Sequence, residues 1–329
     1  MERKGAVVVG SHVQGLFMRV TRFPSADETV LGWDYREALD GGKGSHQAIA
    51  CARLGVPTHF VGRVGRDRLG DIGAGWMADA GVDLTYLFRS EKKATGCGFV
   101  MINPEGVPAM TTAMGANEEL SLSDVDCVEP LLAAARLALV TFEIPVATAL
   151  YALHRAKELG AFTILTPGPA EPLPPDALAA VDLLIPNEGE AITLTGQKPF
   201  NMLSPEELGR KLQNYFGIKQ VIITLGERGA LVADGKEQQM IAAFPVEVVD
   251  TPGAGDAFTS GIAFALSQGI SLVDSARFGC LTAARAVTIR ESVPGFGTFS
   301  EIVAFAEKNG FEMPAEFGRR SRLQAGAGF

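Results

Sequence analysis

Six short apolar runs recur along this chain with helix-patterned sequence between them, and that alternation constrains the fold more than any other feature. The runs lie at 6–10 (AVVVG), 58–62 (THFVG), 136–142 (RLALVTF), 162–166 (FTILT), 181–187 (VDLLIPN) and 219–226 (KQVIITLG). Each has strand length and is apolar at both odd and even positions, as in strands buried on both faces of a parallel sheet. The clearest intervening helix is 204–217. Ser204 is its N-cap, Pro205 takes the first turn, Glu207 completes a capping box and Gly217 ends it. Leu208, Leu212 and Phe216 then form one stripe. Repeated strand–helix alternation predicts an α/β fold, a doubly wound, mostly parallel sheet flanked by helices.

Two stretches break the rhythm. Residues 15–21 alternate Leu16, Met18 and Val20 with Phe17, Arg19 and Thr21, and residues 83–113 hold strand-like runs around a PEG turn at 104–106. Period-2 segments of this kind read as hairpins projecting from the main sheet. They predict a small β-sheet lid, built from about 13–40 and 88–113, on one domain spanning 1–312. A tail at 313–329 looks loosely ordered.

Charge and cysteine usage exclude several classes. The 329 residues carry Lys+Arg 29 against Asp+Glu 38, a net charge of −9, which offers no basic footprint for nucleic acid. No apolar run approaches the ~20 residues of a membrane span. Cys51, Cys97, Cys127 and Cys280 are scattered without a C-x-x-C pair, so reduced thiols and a cytoplasmic location are expected. The four histidines, His12, His46, His59 and His154, are dispersed and form no zinc motif. VVVGSHVQG after the first strand does not fit the dinucleotide fingerprint of a dehydrogenase. Glycine is the outlier, at 38 residues, and implies tight turns and close backbone approaches.

Chemistry concentrates in two glycine-rich helix entries. In DTPGAGDAFTSGIAFAL (250–266) a helix begins near Gly255, and Gly253-Ala254-Gly255 lies immediately before it. Unpaired amides at a helix N-terminus hold anions. Asp256 reads either as an ordinary helix-terminal carboxylate or as a base that takes a proton from a hydroxyl attacking a phosphoryl group held there. In ALDGGKGSHQAIACARLG (38–55) Gly41-Gly42 is a bend and a helix follows from about Gly44. Gly44 after Lys43 rules out a Walker A loop. The segment is either a plain turn and helix start or the second side of one ligand site.

DTPGAGDAF, GGKGSHQA, PNEGE (186–190) and ITLGERGA (223–230) occur together in this order with FVGRVGRDRLGD (60–71) and AMGAN (113–117). Over roughly 5–300 the chain resembles the PfkB family of carbohydrate kinases, most closely its ribokinase branch. The resemblance implies Asp256 as catalytic base and Gly253, Ala254 and Gly255 as the anion hole for the γ-phosphate of ATP. It implies that Asn187 and Glu190 organise Mg²⁺ and phosphates, Glu190 through water. Thr224, Gly226 and Gly229 correspond to its nucleotide-binding element. Gly42, Lys43 and Glu143 match sugar-contacting positions, and Asp250 with the Pro252 carbonyl matches part of a loop for K⁺. Glu291-Ser292 stand where that loop often has Gly-Ala. A homodimer formed through the lid is also implied, and the Leu16, Met18, Val20 face is consistent with one.

The departures fall at the sugar end. Ribokinases carry a G-S-x-N-x-D run there, whereas this chain has Gly10-Ser11-His12-Val13-Gln14-Gly15, and His46 replaces an Asn in G-G-K-G-x-N-Q. Unmatched buried polar groups discriminate strongly between substrates. The expectation is an ATP-dependent kinase for the hydroxymethyl group of a sugar, sugar acid or polyol other than ribose, contacted by His12, Gln14, His46 or Lys43. Lys43 and a protonated His46 would suit a carboxylate. A nucleoside kinase of the same fold is the alternative, with Phe17 and Phe99 to clamp a base. A non-catalytic sugar-binding regulator is the third reading.

Overall fold

The computed structural model describes residues 3–38, 41–196, 203–314 and 316–317. Nine strands form the main sheet in the order β13-β12-β11-β10-β9-β8-β1-β4-β5. They are β1 (Ala6–Val9), β4 (Thr58–Gly65), β5 (Leu87–Ser90), β8 (Leu137–Thr141), β9 (Phe162–Thr166), β10 (Leu183–Leu184), β11 (Gln220–Thr224), β12 (Ala230–Asp234) and β13 (Glu237–Ile241). Pairing is parallel from β11 to β5 and antiparallel only at the β11–β12 and β12–β13 edge. All six apolar runs therefore became strands of the expected doubly wound sheet. Alternate residues enter opposite layers: Ala6, Val8, Leu137 and Leu139 pack in one core, while Val7, Val9, Ala138 and Val140 pack in the other.

The capping-box helix forms at Pro205–Phe216 as read, with Ser204 and Glu207 reciprocally bonded and Gly217 left-handed at φ 67°. The lid is a separate sheet in the order β3-β2-β6-β7, from β2 (Val13–Val20), β3 (Gly32–Glu37), β6 (Gly96–Ile102) and β7 (Pro108–Ala113). Its second segment begins at Gly96, because Leu87–Ser90 pairs with β4 in the main sheet. Leu16 and Val20, read as an interface face, are 7% and 2% exposed and are buried within the protomer. The exposed apolar side chains of the lid are others: Leu31, Trp33, Tyr35, Phe99 and Met110. Most of the tail beyond Met313 lies outside the described residues.

Strand order places the site. After β1 the chain builds β4 and β5 on one side, then returns to build β8 on the other, so a switch point opens between β1 and β8. Ser11 follows β1 and Glu143 follows β8, and the Ser11 hydroxyl donates to Glu143 Oε2 across the gap. Thr166, Asn187 and Thr224 stand at the carboxyl ends of the neighbouring strands. Open α/β sheets bind ligands at this edge.

Candidate active site

Two helices point their N-termini at the switch point. The first, Lys43–Arg53, starts at Gly42 with no side-chain cap. It sits directly on β1: a Cβ at Gly44 would lie 2.5 Å from the Ser11 amide nitrogen and 2.8 Å from Gly10 Cα. The Lys43 amide donates to Glu143 Oε2 at 2.7 Å, so one carboxylate ties the end of β1, the end of β8 and the helix start together. Burial raises the Glu143 carboxyl above its usual range, against the Lys43 ammonium and the Ser11 and Lys43 hydrogen bonds that favour its charge. Burial alone would lower Lys43; the surrounding carboxylates of Asp256, Glu143 and Glu190 overcome it and raise its pKa.

The second helix, Ala254–Ser267, is entered through Gly253 at φ 77°, a left-handed turn that glycine makes without strain, and no side chain caps it. The Ala254 N–H turns back to the Thr251 carbonyl at 3.2 Å. The uncapped amides that follow are those of Gly255 and Asp256, while the Ala257 N–H already closes the first helical bond to Gly253. Asp256 is 7% exposed. Its Oδ2 faces His46 Nδ1 at 3.0 Å and its Oδ1 accepts from Gln47 Nε2 at 3.0 Å. Gln47 also donates to Thr166 Oγ1 at 2.9 Å. A carboxylate held on both oxygens keeps a fixed plane, which suits a base that must meet one hydroxyl.

Two clefts share Thr224 and Gly255. The larger, of about 810 Å³, runs past Gly226 and Gly229 between Phe244, Val246 and Val287, an apolar slot bordered by the uncapped helix amides. The smaller is polar and holds Lys43, Glu190, Asn187 and Asp256. An apolar slot opening onto uncapped amides fits a purine nucleotide with its phosphates directed at Gly255. Asn187 and Glu190 form a mutual capping box, with bonds of 2.8 and 2.9 Å. Among the described residues no cluster of three metal-ligating side chains exists. One cleft carboxylate beside phosphates and water nevertheless fits Mg²⁺, which keeps several waters. Asp250 accepts the Thr251 amide on one oxygen and the Glu291 amide on the other, and Arg36 of the lid is bound at the Glu291 carboxylate.

The His12 and Gln14 side chains are buried, at 1% and 0% exposed. His12 Nδ1 contacts Ser45 Oγ at 3.1 Å and its ring abuts Gly73, while Gln14 Nε2 donates to the Ala38 carbonyl at 3.0 Å. Strand alternation explains it: Val13 and Gly15 take one face of the lid and Gln14 the other. His46 meets the Gly41 N–H through Nε2 at 2.7 Å and Asp256 through Nδ1. Gln47, Ser11, Ser45 and Thr166 were given no role by the sequence, although Gln47 lies inside the quoted GGKGSHQA. All four cysteines are free, and no helix among the described residues is long and apolar enough to cross a membrane.

Comparison with known proteins identifies the family. The family described as pfkB family carbohydrate kinase matches residues 3–294. Ribokinase of Haemophilus influenzae is 33% identical over 308 residues, covering 93% of this chain and 99% of that protein, and ribokinase of Staphylococcus aureus is 33% identical over 277 residues, covering 83% and 90%. The structure of Arabidopsis thaliana ribokinase complexed with ribose and ATP superposes with a TM-score of 0.83 at 30% identity, covering 92% of this chain and 99% of that one. The chain belongs to the pfkB family of carbohydrate kinases, enzymes that transfer a phosphoryl group from ATP to a sugar hydroxyl.

Proposed function

We propose that this kinase phosphorylates the hydroxymethyl group of a sugar, sugar acid or polyol other than ribose, using ATP and Mg²⁺. The carrying observation is the junction of the two clefts. There the doubly held Asp256 carboxylate, the uncapped amides of Gly255 and Asp256, and the Lys43 ammonium converge. The acceptor enters between the lid and the Gly42 bend. Its hydroxyl gives its proton to Asp256, its oxygen bonds to the γ-phosphorus, and the bond to the ADP oxygen breaks. The amides and Lys43 stabilise charge on the transferring group. Mg²⁺, held by the phosphates, water and Glu190, supplies further charge neutralisation when bound.

Ribose is set aside because Val13 and Gly15 offer no side-chain partner to its hydroxyls, and Glu143 keeps only part of its accepting capacity. The nucleoside alternative loses its support in the lid: Phe17 pairs with Val100 and Leu16 with Phe99, so the two phenylalanines lie on opposite faces and cannot clamp one base. A homodimer through the lid is supported by the exposed Leu31, Trp33, Phe99 and Met110.

A panel of sugars, sugar acids, polyols and nucleosides, scored for ATP turnover, tests the proposal. Asp256→Asn is expected to cut turnover of the best acceptor by about 10³-fold while ATP affinity stays within about twofold. Near-normal turnover in that variant, or ribose as the preferred acceptor, refutes the reading.

A further inference from the structure

No step of the phosphoryl transfer falls to Gln47, yet its side chain links the Asp256 carboxylate to the central sheet. It is 1% exposed and follows His46 on helix Lys43–Arg53. Successive helix residues point about 100° apart, so Asp256 lies between the two, and each meets one of its oxygens. Gln47 Nε2 donates to Asp256 Oδ1 at 3.0 Å and to Thr166 Oγ1 at 2.9 Å, which uses both protons of the amide nitrogen. Thr166 is the last residue of β9, is 9% exposed and pairs with Thr141 of β8 in the middle of the sheet. We propose that Gln47 is a positioning residue: it bridges the Asp256 carboxylate to Thr166 and so fixes the base to the end of β9.

The backbone of Gln47 is held by the same helix as its side chain. Its carbonyl accepts the Ser260 hydroxyl at 3.2 Å, and Ser260 stands one turn beyond Asp256 on helix Ala254–Ser267, on the same face. The bridge matters because Asp256 has a local alternative. Gly253 is the N-cap of its helix, so Asp256 is the third helical residue. A carboxylate at that position commonly reaches back to the N-cap amide. Glu190 does so on its helix and Glu207 on its own. Asp256 instead places its oxygens on His46 and Gln47. Without the Gln47 amide, Oδ1 loses its tie to the sheet, and the carboxylate gains the option of turning onto Gly253 rather than into the cleft.

This inference rests on Asp256 being the base. The assay is ADP formation from ATP with the acceptor that the panel ranks first. Gln47→Met keeps length and volume and removes both donors. Thr166→Val keeps the shape and removes the accepting oxygen, which Thr166→Ser puts back. Gln47→Met is expected to lower kcat roughly ten- to a hundredfold, with KM for the acceptor and for ATP within about threefold. Thr166→Val lowers kcat in the same direction, Thr166→Ser recovers most of that loss, and the double variant loses no more than Gln47→Met alone, since both cut one bridge. Thr166 also lines the cleft, and a direct contact with substrate would make the two losses multiply. Multiplied losses, unchanged kcat in Gln47→Met, or a loss that falls on KM overturn the proposal. Should Gln47→Met fail to fold, equal turnover in Thr166→Val and Thr166→Ser overturns it. Full turnover in Asp256→Asn sinks the assignment of the base instead, whereas lost turnover there beside normal turnover in Gln47→Met sinks the bridge alone.

Discussion

Replacing Gly44 by alanine asks whether the helix bearing the acceptor-side residues can rest on β1 only through a bare backbone. The added Cβ would meet the Ser11 amide nitrogen at 2.5 Å, the Gly10 carbonyl carbon at 2.7 Å and Gly10 Cα at 2.8 Å. All three are backbone atoms of the strand end, and none can swing aside as a side-chain tip would. Ordinary contact begins near 3.4 Å, so helix Lys43–Arg53 must retreat by about 0.9 Å. Overpacking of this kind costs about 1–3 kcal/mol. The same retreat carries His46 and Gln47 with it. Their bonds to Asp256 are each 3.0 Å, and a bond lengthened past about 3.5 Å is effectively lost. A misplacement near 1 Å is enough to cost about 10²-fold in rate.

Gly44→Ala is therefore expected to lower unfolding free energy in urea by about 1–3 kcal/mol and kcat by about 10²-fold together. Gly75→Ala serves as the control. Gly75 is an exposed position within helix Arg68–Asp79 where a Cβ meets nothing within 4 Å, so it should gain about 0.5–1 kcal/mol with unchanged kcat. Wild-type stability in Gly44→Ala would refute the seating. A stability loss with full turnover would refute the link from that seating to the base.

Two further expectations concern the replaced residues of the acceptor side. Val13→Asn with Gly15→Asp should raise kcat/KM for ribose by roughly ten- to a hundredfold, because both positions share the lid face opposite Gln14; unchanged ribose kinetics would mean that these losses do not set specificity. His12 is held down to about 4 by burial, then by repulsion from His46, with Asp67 pulling the other way. Its unfolded value lies near 6.5, so its contribution is intact above that pH and is lost as pH falls toward 4, roughly 3 kcal/mol in all. Urea unfolding followed between those pH values should show that slope in the wild type and its absence in His12→Leu; parallel profiles would place the proton elsewhere.

Strand existence, the capping-box helix and both glycine-rich helix entries were legible because their signals are local: apolar runs, a Ser–Glu spacing, a Gly bend. The antiparallel β12–β13 edge went unread although Asp234-Gly235 is a turn signal, with Gly235 at φ 59°, because Glu237–Ile241 is largely exposed and polar. His12 and Gln14 were read as acceptor contacts one position at a time, and the fold buries both side chains. Read as a strand, Val13-Gln14-Gly15 has only one parity available to a ligand, and period 2 alone would have turned Gln14 away. The partnership of His46 with Asp256 spans 210 residues of chain. No spacing rule reaches that far, since it depends on how two helices are set against the same sheet edge.

That long-range partnership changes what the departures from the ribokinase pattern mean. Taken alone, Val13, Gly15 and His46 describe a sugar site that has lost three polar contacts. In the fold, the two histidines clamp the bend, through Gly41 and through Ser45 to Gly42, while Glu143 fixes Lys43 just beyond it. Rigid polar clamps behind a binding surface discriminate by shape, since a bend that cannot move cannot adapt to a poorly fitting acceptor. Under the proposed function, the face that meets the acceptor lacks side-chain hydroxyl partners at Val13 and Gly15, and the hydrogen bonds of the bend lie behind it. Under that function, the acceptor is one that tolerates Val13 and Gly15 and presents its hydroxymethyl group to Asp256. Its remaining hydroxyls must then find partners in Glu143, Lys43, backbone or water.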